Sequence, residues 1–502
     1  MVGSIDTILS MVVSLHLWLF VIGGVVFGYI VGAIPGFGGG NILAMLVPFT
    51  IHLQPVDTLV FFSAIYGSME LGGSWPGIIL NVPGSPASAA ASLEGFIMSR
   101  RGEGDRALGL SIMSSIVGLV AGTIVLMTLT EAVGSVALAF SPRDMCALIV
   151  LGLSFVASLG NGTLYCNVIS ALIGLLLATI GTGPLSGAHR GTLGIVDLYD
   201  GMQLLPVVVG LFGFAECLVM ASRASASVVS AAGRVGEFRH TLGGVAETFR
   251  HKKVLAFSCL LGMVMGIVPG LGGTASSWIA YAQAKRVFGK REKFGDGVAA
   301  GIIAPEVANH VGVPEGLISM LALGIPHSGA IAIMMSALIL EGVTPGPAFL
   351  RQNHAAVMTI GVSILLGTIV IFIVGLLFSR YFAKIAMVPS HILVPIIAVA
   401  CLLGAYGQRD SFFDMGTVVA FGLVGVLFEK LGLSRPVFLL AFILGPMFET
   451  YLGQSLSIGN GSVFYLVGSP IAAPLYLCAF VFLTGPFAVR ALRAGWNAAR
   501  ST

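Results

Sequence analysis

Apolar positions run on through this chain for long stretches, without the polar intervals that would mark one face of a helix or strand as solvated. Hydrophobic residues make up 56% of the 502 and charged residues 9%, whereas soluble domains carry about a quarter charged residues. No water-facing surface can be built from so few charges. Because lipid offers no hydrogen bonds, the runs must be helices, and they are too long and too continuously apolar for barrel strands. At ~20 apolar residues per crossing, they leave room for roughly ten to fourteen membrane segments, whether each spans the bilayer or only enters it. The expected fold is an all-α polytopic membrane protein.

Met1 to Ser10 has no basic n-region, so the apolar run that follows is expected to be retained rather than cleaved. The 68 glycines suit close helix packing and helix breaks in a bundle. The six cysteines (Cys146, Cys166, Cys217, Cys259, Cys401 and Cys478) show no paired or metal-type spacing and read as small packing residues.

The most informative pattern is an internal repeat. Gly28-Tyr-Ile-Val-Gly32-Ala-Ile-Pro35-Gly36-Phe-Gly38-Gly39 returns as Gly262-Met-Val-Met-Gly266-Ile-Val-Pro269-Gly270-Leu-Gly272-Gly273, with five glycines and one proline in register. A second pair follows: Asn81-Val-Pro83-Gly84-Ser85 and Gly324-Ile-Pro326-His327-Ser328, each trailed by Leu-Glu-Gly, at Leu93 and at Leu340. Basic residues orient the copies, since they collect in cytoplasmic loops. The first Lys or Arg is Arg100, so the flanks of the first motif are expected outside. Arg223, Arg234, Arg239, Arg250, Lys252 and Lys253 precede the second motif, and Lys285, Arg286, Lys290, Arg291 and Lys293 follow it. Its flanks are expected in the cytoplasm. Paired helix breaks in an inverted-topology repeat are the signature of secondary transporters that alternate access around a midplane site. The alternative is a duplicated packing motif of small residues. The expected division is a first half over 1–222, a basic cytoplasmic connection over 223–253, a second half over 254–450, and C-terminal helices with a basic tail over 451–502.

Pro35 and the glycines around it must open their helix and free backbone N–H groups. Helix N-termini carry partial positive charge and aim donors at carboxylates. The candidate substrate-binding residues are therefore Pro35, Gly36, Gly38, Gly39 and Asn41; Asn81, Pro83, Gly84 and Ser85; Pro269, Gly270, Gly272, Gly273, Thr274 and Ser276; and Pro326 and Ser328. Ser277 is a further donor. No Gly-Lys-Ser/Thr follows, so this is not a phosphate loop.

Charges at membrane depth are costly and must be weighed singly. Glu306, with Asn309, and Glu70 at a comparable point of the first copy are the candidates for coupling a sodium ion or proton; the alternative for each is a helix-end cap. His310 and His327 titrate near neutrality when free, but a histidine near a helix break also serves as a hydrogen-bonded structural residue. Arg190 is a candidate either for a substrate carboxylate or for holding loop carbonyls. No metal or acid cluster, His-Glu-x-x-His or Ser/Lys dyad supports an intramembrane enzyme, and a broken inverted repeat favours bound-substrate transport over a passive channel.

At these motifs the chain resembles the large permease subunit of the tripartite tricarboxylate transporter family. The resemblance rests on Val31-Gly-Ala-Ile-Pro-Gly-Phe-Gly38, Ala64-Ile-Tyr-Gly-Ser-Met69, Ile79 to Ala90, Leu93-Glu-Gly95, Asp197-Leu-Tyr-Asp-Gly201, Ile303-Ala-Pro-Glu306 with Asn309, Leu323-Gly-Ile-Pro326 and Pro345-Gly-Pro347. It implies a multi-pass permease of the bacterial inner membrane, without cofactor, that takes up organic acids such as citrate on an ion gradient. The partners it implies are a small four-helix membrane subunit and a periplasmic substrate-binding protein, with no nucleic acid. A stand-alone carboxylate transporter is the neighbouring alternative. Within the resemblance, Glu70 stands where an aromatic is commoner, His310 where a second Asn is frequent, His327 where Gly is usual and Gly183 where Asp is frequent.

Overall fold

A computed structural model describes residues 14–34, 39–51, 53–137, 139–159, 163–183, 187–222, 238–267, 272–290, 292–346, 349–350, 354–382 and 390–484. Pro35, Gly36, Gly38, Pro269 and Gly270 lie outside the described residues, as do 223–237 of the basic connection and the tail after 484.

The first half begins with α1 (Leu15–Gly32), α2 (Gly39–Thr50), α3 (Pro55–Leu80), α4 (Ala89–Arg100) and α5 (Gly104–Ala137). It continues through α6 (Pro142–Leu159) and α7 (Leu164–Ala178) to α8 (Leu204–Ser222), which holds a π-turn at Val209–Phe214. After α9 (Phe238–Thr248) come α10 (Lys252–Ile267), α11 (Gly272–Phe288), α12 (Ala300–Ile318, extended by a π-turn at Ser319–Leu323), α13 (Gly329–Leu340) and α14 (His354–Phe382). α15 (Ser390–Arg409), α16 (Phe412–Leu431), α17 (Arg435–Ile458), α18 (Phe464–Val467) and α19 (Ala472–Thr484) complete the described chain. Against expectation there is one pair of two-residue strands, Gly181–Thr182 with His189–Arg190.

Six of the described helices are long and apolar enough to cross a membrane, and five shorter apolar helices accompany them. Apolar side chains such as Leu19, Leu172, Ile396 and Leu423 face outward, as lipid rather than water permits. The chain is an all-α multi-pass membrane protein.

α3 and α12 form the centre of the bundle. From Thr58 to Leu80 nearly every residue of α3 is buried, and all of α12 is. α3 starts with Pro55 in its first turn, where its missing N–H costs nothing. Glycines bring its neighbour against it: a Cβ at Gly24, Gly28 or Gly32 of α1 would stand 2.9 Å from Ala64 Cβ, 2.1 Å from Ser68 Oγ or 2.2 Å from Met69 O. This small-residue stripe is a packing device. Gly262 of α10 likewise lies on Ala308 and Val311 of α12. For Gly28, Gly32 and Gly262, close helix crossing is the reading the contacts support.

The two central helices end alike. Asn81 takes φ 60° after α3, where Asn tolerates the left-handed conformation, and Gly324 takes φ 72° after α12. The N–H of Asn81 donates to Gly77 O and that of Val82 to Pro76 O; Gly324 donates to Met320 O and Ile325 to Ser319 O. These caps are equivalent in every bond, and they set a register of 243 residues between α3 and α12 (324 minus 81).

Candidate functional site

Each cap leads through a proline into a serine that starts the next segment. Ser328 Oγ accepts from Ile331 N at 3.3 Å and caps α13, and Ser85 Oγ accepts from Ser88 N at 3.3 Å ahead of α4. Ser88 in turn hydrogen-bonds through its Oγ to the N–H of Ser85 at 3.1 Å. Gly84 is required by space, since a Cβ there would stand 2.1 Å from Gly32 O. Both prolines therefore sit in short connections between helices, with polar side chains around them.

Ser328 meets the opposite half directly, and Ser85 meets it through Glu70 of its own half. Ser85 Oγ donates to Glu70 Oε2 at 3.2 Å, and Asn309 Nδ2 donates to the same oxygen at 3.2 Å. Tyr66, one turn from Glu70, lies within interaction distance of Ser328. In the 243-residue register Tyr66 corresponds to Asn309 and Ser85 to Ser328. A residue of each central helix thus reaches toward the break of the other half, Tyr66 directly and Asn309 through Glu70.

The second glycine motif closes on this cluster. A Cβ at Gly273 would stand 2.0 Å from Asn309 Oδ1, and one at Gly272 would stand 3.3 Å from Ser328 Cβ, so the first turn of α11 lies against both. Gly272 is left-handed at φ 54°, a conformation glycine adopts without strain. Asn309 Oδ1 is buried without a partner. Ser276 and Ser277 donate back to Gly272 O and Gly273 O of their own helix, so in this conformation their hydroxyls are not free donors. Thr274 stands half-buried in the same turn.

The first motif is placed differently. Gly39 opens α2, and Asn41 Nδ2 donates to Glu216 Oε2 at 3.3 Å, an oxygen that also lies 3.6 Å from Arg435 Nη1. A Cβ at Gly40 would touch Ile333 of α13 at 3.3 Å. α2 therefore packs beside α13, and Asn41 serves a buried acid–base pair instead of pointing a free donor into the cluster.

Glu306 is 2% exposed and accepts from Ser115 Oγ of α5 at 2.9 Å. Its second oxygen has no partner, and His310 Nδ1 lies 2.9 Å from its backbone carbonyl. Glu70 and Glu306 are not at comparable points. Glu70 lies 11 residues before its cap and Glu306 18 before its own, so the counterpart of Glu306 is Ser63. The two carboxylates are nevertheless close enough to interact electrostatically. His327 is 1% exposed and neither ring nitrogen has a partner.

Arg190 is committed elsewhere. It forms a bidentate pair with Glu449 at 2.8 and 2.9 Å, neither a free guanidinium nor a carbonyl clamp.

Several participants escape a sequence reading. Tyr66 and Ser88 lie within motifs that carry the family resemblance but are not singled out there, and Ser115 and Glu216 lie in apolar runs without a distinguishing pattern. The two Leu-Glu-Gly copies do carry a signal. Glu94 is fully buried and accepts from Tyr281 Oη at 2.9 Å and from the N–H groups of Gly295, Gly297 and Val298 at 2.5, 2.7 and 3.1 Å, just ahead of α12. Glu341 accepts from Thr58 Oγ1 at 2.6 Å in the first turn of α3. Each Leu-Glu-Gly carboxylate holds the start of the other half's central helix.

Comparison with known proteins agrees with this architecture. Residues 18–440 match the model of the tripartite tricarboxylate transporter TctA family. An Agrobacterium vitis protein described as an uncharacterized 52.8 kDa protein in the TAR-I ttuC' 3'region is 32% identical over 464 residues, covering 91% of this chain and 90% of the relative. A second from the same organism, described as an uncharacterized protein in the TAR-II ttuC' 3'region, is 30% identical over 214 residues, covering 43% of this chain and 88% of the relative. No solved structure matches the chain.

Proposed function

The chain belongs to the tripartite tricarboxylate transporter TctA family, and from that premise we propose that it is the large permease subunit of a binding-protein-dependent system. It imports di- or tricarboxylates across the bacterial inner membrane on a sodium or proton gradient. A small four-helix membrane subunit and a periplasmic substrate-binding protein complete the system.

The observation that carries this reading is the convergence of α11's first turn, Asn309, Glu70, Ser85 and Ser328 at the junction of two halves with equivalent caps. Substrate carboxylates are held by the N–H groups at the start of α11 and by Ser328 and Thr274, with Ser85 joining them once its hydroxyl turns from Glu70, and without a buried arginine. Glu70 and Glu306 supply the negative charge that a coupling cation requires. The halves are inverted in the membrane, which the distribution of basic residues supports. Rocking one half against the other exposes the junction to each side in turn, and the cross-half bonds of Glu94 and Glu341 are candidates for the contacts that exchange.

The test is uptake of a panel of labelled carboxylates into proteoliposomes, with and without the two partner subunits, while sodium and pH are varied independently. Gradient-driven accumulation of an organic acid supports the reading. Accumulation without the partners would point to a stand-alone transporter, and no accumulation of any acid would overturn it.

A further inference from the structure

Glu315 has no role in the junction. It lies on α12, six residues and ~9 Å beyond Asn309. Its side chain is fully buried, and neither carboxylate oxygen has a partner. It rests directly on the backbone of α10, where a Cβ at Gly266 would stand 2.0 Å from Glu315 Oε2 and 3.1 Å from its Cβ. Gly266 is the residue before the last described residue of α10, Ile267.

Packing does not explain the residue. In the 243-residue register Glu315 corresponds to Gly72, which in the first half lets α3 approach Tyr29 of α1, a Cβ there standing 3.0 Å from Tyr29 O. The same helix crossing is thus built without an acid in one half and with one in the other.

Nothing described around it supplies a positive charge. α10 carries the Cys259 thiol within electrostatic reach; α5 carries no charged residue between Arg106 and Glu131; and α13 carries none. α3 and α4 contribute acids, Glu70 and Glu94, and the basic residues of the neighbouring helices stand at helix ends: Arg100 in the last turn of α4, Lys252 and Lys253 in the first turn of α10, and Lys285 and Arg286 in the last turn of α11. On α12 itself the titratable neighbours are Glu306 and His310, at least five residues away. An isolated ionised carboxylate is not stable in such surroundings and must be neutralised.

We propose that Glu315, packed on α10 at Gly266, is a cation site, separate from Glu70 and Glu306, that takes one small monovalent cation, a proton or a sodium ion. One carboxylate neutralises one charge, and both of its buried oxygens are without a partner to compete with that cation. Its role in coupling rests on the transporter reading; its existence as a site does not.

The site is tested without substrate or gradient on the purified full chain in nanodiscs. Sodium binding is measured with isotopic sodium against choline, and carboxyl protonation is followed by infrared difference spectra on a pH step. In Glu315→Gln, either the sodium stoichiometry falls by one or one protonated-carboxyl band disappears; the first outcome assigns sodium and the second a proton. Unchanged sodium binding together with an unchanged carboxyl spectrum would overturn the proposal. If Glu315→Gln does not insert, Glu315→Asp withdraws the carboxylate by one methylene, and an expected weakening of at least about threefold takes the place of loss. Wild-type affinity in that variant would overturn the site. A wild-type protein that binds the cation but moves no carboxylate would instead overturn the transporter reading and leave this site standing.

Discussion

Asn309 of α12 donates to the Glu70 carboxylate of α3 across 3.2 Å, a bond between the two central helices and between the two halves of the chain. Glu70 is buried and accepts also from Ser85, so one oxygen gathers a donor from each half. Removing the Asn309 amide leaves that oxygen short of a donor, and replacing it with a second acid sets two carboxylates against each other. Asn309→Asp is therefore expected to abolish uptake with the protein still inserted. Adding Glu70→Gln restores a donor facing an acceptor, and the double variant is expected to regain part of the activity. A coupling of about 0.5–3 kcal/mol in the thermal unfolding cycle accompanies it. Strict additivity of the two changes would mean that the bond carries nothing.

The opposed charge distribution makes a topological prediction. With Cys478 replaced by Ser, His240→Cys and Lys290→Cys should be modified by an impermeant maleimide from the cytoplasm, and Gln54→Cys from the periplasm. All three positions are exposed in the structure. Labelling of 54 and 290 from the same side would end the inverted-repeat reading.

How far the sequence disclosed this molecule follows from what kind of signal each part leaves. Long apolar runs and paired breaks are local, so the helical membrane class and the helix breaks after Asn81 and Gly324 are legible, whereas the capping role of those two residues is not. Nor is the position of Asn41, because its partner Glu216 lies 175 residues away. Glu70 and Glu306 look alike in sequence because both interrupt apolar helices, yet only the cap-to-cap register shows that they occupy different turns. Glu315 interrupts the same apolar helix as Glu306 and is as legible as a charge at membrane depth; what no sequence pattern carries is that neither of its oxygens meets a partner.

The docking of α9, the helix in the basic connection, is expected to weaken at acid pH. Glycines seat α9 against α5, with a Cβ at Gly109 standing 2.0 Å from Thr241 O and one at Gly244 standing 2.1 Å from Arg106 O. Glu247 adds a bidentate pair with Arg106 at 2.6 Å. That hydrogen bond, with lesser help from His251 and Arg250, holds the Glu247 carboxyl below the usual carboxylate range against the opposing effect of burial. A depressed acid contributes its docking energy fully above the ordinary glutamate range and loses it as pH falls through the lowered value. Amide hydrogen exchange over 238–248 should therefore quicken at acid pH. Glu247→Gln should show that fast exchange already at neutral pH, with little further change on acidification. Equal pH sensitivity in the variant would assign the effect to another group.

Arg190 and the second glycine motif make opposite predictions for binding. Gly272→Ala forces an L side chain into left-handed backbone, and Gly273→Ala drives a methyl group into Asn309 Oδ1. Both are expected to lower substrate affinity at least tenfold while insertion is retained. Arg190→Gln breaks a partly exposed pair with Glu449, which is worth about 0–1 kcal/mol of stability, and should leave affinity within about threefold. Loss of binding in Arg190→Gln with normal transport by both alanine variants would replace helix-terminus binding with a guanidinium–carboxylate pair.

The two Leu-Glu-Gly carboxylates give the last prediction, because they are equivalent in role and unequal in strength. Glu94 accepts three backbone N–H bonds and a tyrosine hydroxyl, while Glu341 accepts from Thr58 with one oxygen and leaves the other without a partner. In Glu94→Gln the amide NH₂ must face groups that are themselves donors, leaving at least one buried N–H unpaired at a cost of about 1–3 kcal/mol. Glu341→Gln keeps an acceptor for Thr58 and turns its new donor toward a site that made no bond, so its cost should be near zero. If these carboxylates clasp the starts of α12 and α3 in the present conformation alone, weakening the Glu94 clasp also shifts the balance toward the alternative access state. Glu94→Gln should then lower the thermal midpoint by several degrees and raise the labelling rate of a cysteine at Ser85, while Glu341→Gln changes neither. A Glu94→Gln protein with reduced stability and unchanged labelling would confine Glu94 to holding the loop at 295–298, with no part in the exchange of states.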